Sequence, residues 1–148
     1  MAEGTVLLRC HSCGTVNRIP VSKLGAQPKC GKCRSVLDFP VKPVEVTASN
    51  FDREVLDHPG AALIFFWAPW CAHCRAMIPL MEEVAREKAG MIKVGMINSE
   101  KEPALARRFE VMSVPRLILY RYGKKLNELN GEVRKGQLEE WIVHSLGR

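Results

Sequence analysis

The chain has 148 residues, 47% hydrophobic and 26% charged, with a formal net charge of +6; this suits one ordinary domain plus a small appendage. No apolar run approaches the roughly 20 residues needed to span a bilayer, which excludes a transmembrane helix. The start, Met1-Ala2-Glu3-Gly4, lacks a basic n-region and Val6-Leu7-Leu8 is too short for an h-region, so the expectation is a cytoplasmic protein without a membrane partner.

The charge is uneven. Residues 1–43 carry a balance of +5 and residues 44–148 a balance of +1. A basic front module can signal nucleic acid. Here six cysteines in three Cys-x-x-Cys pairs give a simpler account. Cys10/Cys13 and Cys30/Cys33 are separated by sixteen residues, the spacing of a four-cysteine zinc site. Four thiolates on one Zn²⁺ carry −2, which Lys29, Lys32 and Arg34 offset, and no nucleic-acid partner is expected. Gly14 and Gly31 suit tight knuckles whose N–H groups point at sulfur. The intervening segment, with Ile19-Pro20-Val21 and Leu24-Gly25, has too few apolar residues to fold unaided, so a structural metal is the expected source of stability. Two structural disulfides are the alternative, disfavoured in a cytoplasmic setting. His11 reads as a solvated loop residue.

A zinc module is thus expected over residues 1–38 and a Pro-bearing linker over 39–43, with the larger domain at 44–148. In the latter, Val44-Glu45-Val46 reads as a short strand, and Thr47 or Ser49 as the cap of a helix over about 51–57. Pro59-Gly60 precedes an unbroken apolar strand, 61–67. A helix then runs from Cys71 to about Lys88, with Met77, Leu80, Met81, Val84 and Ala85 on its apolar face and a kink expected at Pro79. A strand over 91–97, a helix over 102–109, a hairpin 116–120/125–129 turning at Tyr122-Gly123, and a helix over 135–146 complete an α/β order.

The third cysteine pair lies where strand gives way to helix. A thiol at a helix N-terminus meets free N–H groups and the positive end of the dipole, which favours its thiolate. A second thiol one turn later can attack a mixed disulfide formed by the first. Cys71 and Cys74 therefore have the equipment for dithiol–disulfide exchange.

Trp67-Ala68-Pro69-Trp70-Cys71-x-x-Cys74, Pro79 and Val114-Pro115, with Gly123 and Gly131, resemble the thioredoxin family over residues 44–148. The front module, Cys-x-x-Cys-Gly-Thr-x-Asn-Arg-Ile-Pro followed by Lys-Cys-Gly-x-Cys, resembles the zinc module of the thioredoxin-2 type. The resemblance implies a thioredoxin fold, a central mixed sheet flanked by helices, with a small zinc-ribbon-like N-terminal domain. It implies an exposed nucleophile, Cys71, and a more buried resolving thiol, Cys74. It further implies a cis bond before Pro115 and a substrate surface of Trp70, Val114, Pro115 and Gly131, to which Trp67 adds while packing mostly in the core. Protein disulfides as substrates, a thioredoxin reductase as electron donor, a monomer, and no organic cofactor follow from the same likeness.

Three departures bear on the chemistry. His73 stands before the second cysteine, where ordinary thioredoxins carry proline and where protein disulfide isomerase and DsbA carry histidine. An imidazolium there favours the Cys71 thiolate, and so predicts a more oxidising couple than an ordinary thioredoxin. Phe65 and Met96 replace the family's buried aspartate and lysine; removal of both charges leaves no stranded ion, although it also removes a proton acceptor for Cys74. Arg116 replaces a threonine, and the sequence leaves open whether it assists the thiolate, selects acidic substrates or points to solvent. The leading reading is a protein disulfide reductase. The alternatives are a disulfide isomerase or oxidant, and a zinc-binding, redox-sensing adaptor.

Overall fold

Six consecutive buried residues, Ala61 to Phe66, form most of the central strand in the computed structural model, which describes residues 4–147. Residues 1–3 and 148 of the expected domain spans lie outside the described residues. Such a run needs covering on both faces, and two apolar clusters supply it. Alternate residues Leu63 and Phe65 face one cluster, built with helices α1 (Ala72–Glu87) and α3 (Lys135–Leu146). Ala62, Ile64 and Phe66 face the other, with Phe51, Val55 and Leu105.

The sheet has the order β3-β5-β4-β6-β7, with β3 at Val44–Glu45, β4 at Ala61–Trp67, β5 at Ile92–Asn98, β6 at Arg116–Arg121 and β7 at Lys124–Asn130. β3, β5 and β4 run parallel, and β6 and β7 are antiparallel, giving the expected mixed sheet. The β6–β7 turn places both Tyr122 (φ 54°) and Gly123 (φ 77°) in the left-handed region. That is the signature of a two-residue type I′ hairpin. α2 is short, Pro103–Arg108.

The expectations for the segment 51–57 and its cap change. The helix expected at 51–57 is a single π-helical turn, Asp52–Leu56, with no side-chain cap. Thr47 and Ser49 instead hydrogen-bond each other, and Asn50 Oδ1 accepts from the Thr47 N–H at 2.8 Å. α1 continues through Pro79 without interruption, and Met77 and Met81 lie in the core as expected.

The front module is a hairpin, β1 (Thr5–Arg9) against β2 (Val16–Pro20), followed by a 3₁₀ turn and an isolated bridge between Lys29 and Val36. Among the described residues its core is built from Leu8, Cys10, Ile19, Cys30 and Leu37, with Val6 and Phe39 against them. The module meets the larger sheet at the N-terminal end of β4. Arg9 Nε donates to the Asp57 carbonyl at 3.1 Å, and the Phe39 ring meets His58 edge-on at 6.0 Å. Beneath lies a buried ion pair, Lys93 Nζ to Glu54 Oε1 at 2.6 Å. Burial, then the neighbouring Lys93 charge, lowers the His58 pKa to about 4, so this imidazole is neutral near pH 7.

Candidate redox site and metal centre

Trp67 ends β4, and four residues later the chain enters α1 with Cys71 as its N-cap. Cys71 and Cys74 form a disulfide across the first turn. The Cys74 N–H points at Cys71 Sγ, 3.1 Å away, so a charge on that sulfur would meet a backbone donor as well as the helix dipole. Cys74 is fully buried. Cys71, expected to be exposed, is only 6% exposed, because its sulfur is tucked 3.9 Å from the Val114 carbonyl oxygen and against the apolar cluster. It is still the more accessible of the two.

Around it stand the other residues singled out from sequence. Trp70 is 68% exposed, whereas Trp67 is half-buried and packs against the core. The Val114–Pro115 bond is cis, and the Pro115 carbonyl accepts from the Gly131 N–H at 2.9 Å, which joins the two loops beside the disulfide. Gly131 has φ 89° and open space where a side chain would stand.

His73 Nδ1 lies 2.5 Å from Glu132 Oε1. That partner lies 59 residues away along the chain; its adjacency to Gly131 is the sole clue to it in the sequence. Arg75 Nη1 similarly donates to the Pro69 carbonyl at 2.6 Å, which holds the turn carrying Trp70.

Phe65 and Met96 are direct register partners on adjacent parallel strands, and both face the cluster containing Cys74. A carboxylate and an ammonium at these two positions would be register partners, the first buried and the second half-buried. Arg116 does not point to the cysteines. Leu117 faces the cysteine cluster and Ile118 the other, so strand alternation puts Arg116 on the far face, where its side chain is only 13% exposed.

Cys10, Cys13, Cys30 and Cys33 converge with all four sulfurs within 4.8 Å of one another. The Cys10–Cys33 and Cys13–Cys30 sulfurs are 3.5 and 3.6 Å apart. A tetrahedral Zn–S₄ centre with bonds of ~2.3 Å needs sulfur–sulfur edges of ~3.8 Å, so the donor set fits. Two equivalent knuckles build it. Cys10 N–H donates to Thr15 O and Gly14 N–H to Cys10 O; Cys30 N–H donates to Ser35 O and Arg34 N–H to Cys30 O. The counterpart of Gly14 (φ 81°) is therefore Arg34 (φ 70°), and Gly31 serves otherwise, donating to Asn17 Oδ1 at 2.9 Å. The Cys33 N–H, reinforced by that of Lys32, lowers the Cys30 pKa to about 6 against the effect of burial, and the Ser35 hydroxyl and N–H lower that of Cys33. Both changes favour thiolates, the form that binds metal. His11 is exposed and outside the donor set.

A mixed sheet whose central strand delivers a Cys-x-x-Cys disulfide to a helix N-terminus, beside a cis-proline loop, defines a thiol–disulfide oxidoreductase. A Thioredoxin family model matches residues 42–144, and the model for the Thioredoxin 2 N-terminal zinc ribbon matches residues 9–35. The chain is 32% identical to Thioredoxin C-3 of Corynebacterium nephridii, over 95% of this chain and 96% of that protein. It is 38% identical to Thioredoxin of Buchnera aphidicola, covering 71% of this chain and 97% of that one. Thioredoxin 1 of Nostoc is likewise 38% identical, over 69% of this chain and 95% of the relative. The chain belongs to the thioredoxin family, and within it is a protein disulfide reductase preceded by a zinc-ribbon module.

Proposed function

We propose that the protein reduces disulfides of protein substrates in the cytoplasm, as a monomer recharged by a thioredoxin reductase, with a couple more oxidising than an ordinary thioredoxin's. The observation that carries this reading is the Cys71–Cys74 disulfide at the start of α1, with His73 between the two cysteines in sequence and Glu132 against its ring. In the reduced form, the Cys71 thiolate attacks one sulfur of a substrate disulfide. The substrate S–S bond breaks, a mixed disulfide forms, and a substrate thiolate leaves and takes up a proton. Cys74 then loses its proton and attacks Cys71 Sγ, which releases the second substrate thiol. Two electrons have passed to the substrate, and the Cys71–Cys74 bond is restored. Trp70, Val114, Pro115 and Gly131 form the docking surface, with His73, Trp70 and Pro115 tuning the site.

Phe65 leaves Cys74 without a carboxylate at that position, so water accepts the resolving proton. Cys10, Cys13, Cys30 and Cys33 would hold one Zn²⁺, which would cross-link a module whose apolar core among the described residues is small. The domain division at 38–44 rests on the separate cores of the two sheets.

Redox titration against glutathione tests the reading. We expect a potential between those of thioredoxin and DsbA. A value at DsbA's would overturn the reductase assignment in favour of an oxidant or isomerase. A value at thioredoxin's would overturn the role of His73. Insulin reduction with and without a thioredoxin reductase identifies the electron donor, and metal analysis of the purified chain tests the zinc.

A further inference from the structure

Arg116 follows Pro115 directly, yet its guanidinium lies on the face of the sheet opposite the cysteines. Nε donates to Asn130 Oδ1 at 2.8 Å. Nη1 reaches the carbonyl oxygens of Phe109 at 3.4 Å and Glu110 at 3.3 Å, and stands 3.4 Å from Glu128 Oε2. The Nη1 contacts are individually long, but with the Nε bond they converge from two chain segments, 109–110 and the end of β7, on one planar fork.

Those segments matter for what they carry. Phe109 and Glu110 open the loop 109–115, which presents Met112, 90% exposed, and Val114 and ends at Pro115. Glu110 sits at φ 54° directly after α2, where helices commonly place glycine, so this bend is costly for its residue type and benefits from a donor on its carbonyl. Asn130 immediately precedes Gly131, the other docking residue. One side chain therefore ties the root of the cis-proline loop to the root of the Gly131 loop, behind the surface where the Gly131 N–H and Pro115 carbonyl join them in front.

We propose that Arg116 is a positioning residue for substrate docking: it sets the spacing and rigidity of the two loops that receive a protein substrate, without acting on the cysteines. This rests on the docking surface assigned above. The guanidinium's bonds are made before substrate arrives, so the two loops are ordered in advance of docking. Lysine keeps the charge but lacks the fork, which separates geometry from electrostatics.

The test compares the unaltered protein with Arg116→Lys and Arg116→Met. KM and kcat for insulin reduction are read beside the reaction of reduced Cys71 with the small aromatic disulfide DTNB and the Cys71/Cys74 potential. We expect KM for insulin to rise roughly three- to tenfold in both variants, with the DTNB rate and the potential unchanged. Unchanged KM in both variants overturns the proposal. So does full rescue by lysine, which would make charge the operative property, or a parallel fall in the DTNB rate with a moved potential, which would place the effect at the cysteines. Should Arg116→Met fail to fold, Asn130→Ala removes the Nε partner alone and is expected to raise KM in the same way; an unchanged KM there overturns the clamp equally. Failure of the unaltered protein to reduce insulin would overturn the reductase reading and this proposal with it, whereas the other negative results overturn only the proposal.

Discussion

His73 and Arg34 show how much one side chain changes on an otherwise standard backbone. His73 is the second residue of α1, a position where proline is tolerated because its N–H has no helical partner. His73→Pro is therefore expected to fold normally and to make the Cys71/Cys74 couple more reducing. A shift of roughly 30 mV, the equivalent of about 1.4 kcal/mol for this couple, is measurable against glutathione; an unmoved potential would remove His73 from the account. Arg34 occupies a left-handed position that its sister knuckle gives to Gly14. Arg34→Gly is expected to stabilise the zinc module by about 1 kcal/mol, the cost of left-handed backbone for a residue with a Cβ. A thermal melt of the metal-loaded protein reads this directly, and a lower midpoint would contradict it. The sequence made Cys71, Cys74 and the four zinc-type cysteines visible because their spacing is local. It left Glu132 and Asn130 hidden, since their partners His73 and Arg116 are brought to them by the fold. It also suggested Gly31 for a turn that in fact strains Arg34.

At the scale of elements, β4 and β5 carry the most telling change. Phe65 and Met96 face each other across the two strands in the cluster that buries Cys74. Phe65→Asp alone would bury an unpaired carboxylate and is expected to cost about 3–5 kcal/mol in urea unfolding of the oxidised protein. Adding Met96→Lys should return part of that loss by pairing the charge. If the losses of the two single variants simply add in the double variant, the two positions do not couple as a pair. The elements themselves were legible where periodicity was long: 61–67 as a buried strand and 135–146 as a helix are as expected. The segment 51–57 was less so. Its spacing fits a helix, but the observed turn is π-type, and Asn50 and Glu102 rather than Thr47 or Ser49 satisfy the N–H groups that precede it. Short elements take their form from neighbours, and a hydrogen bond from Ala48 to Glu102 is not written in local sequence.

For the whole molecule, the contact between module and sheet turns on a neutral, buried His58. Its pKa falls from 6.5 to about 4 on folding, so the unfolded chain binds the extra proton between those values. Stability contributed by this group is complete above pH 6.5 and is lost as pH falls towards 4, up to roughly 3 kcal/mol. His58→Gln should flatten that part of the urea-stability profile; an unaltered slope would show that another group sets it. Chelation gives a second expectation. With three separate apolar clusters, metal removal should unfold residues 4–38 while the Cys71–Cys74 couple still cycles with a small dithiol. Loss of both together would mean that the module and sheet fold as one unit. The placement of that module has a last consequence. It meets β4 at the Ala61 end, while Cys71 follows the Trp67 end, so the strand's length, roughly 20 Å at ~3.3 Å per residue, separates the two sulfur sites. A zinc-site thiolate can reach Cys71 only in another molecule. Electron traffic between the two sites is then a second-order process, negligible in dilute solution and rising with the square of protein concentration.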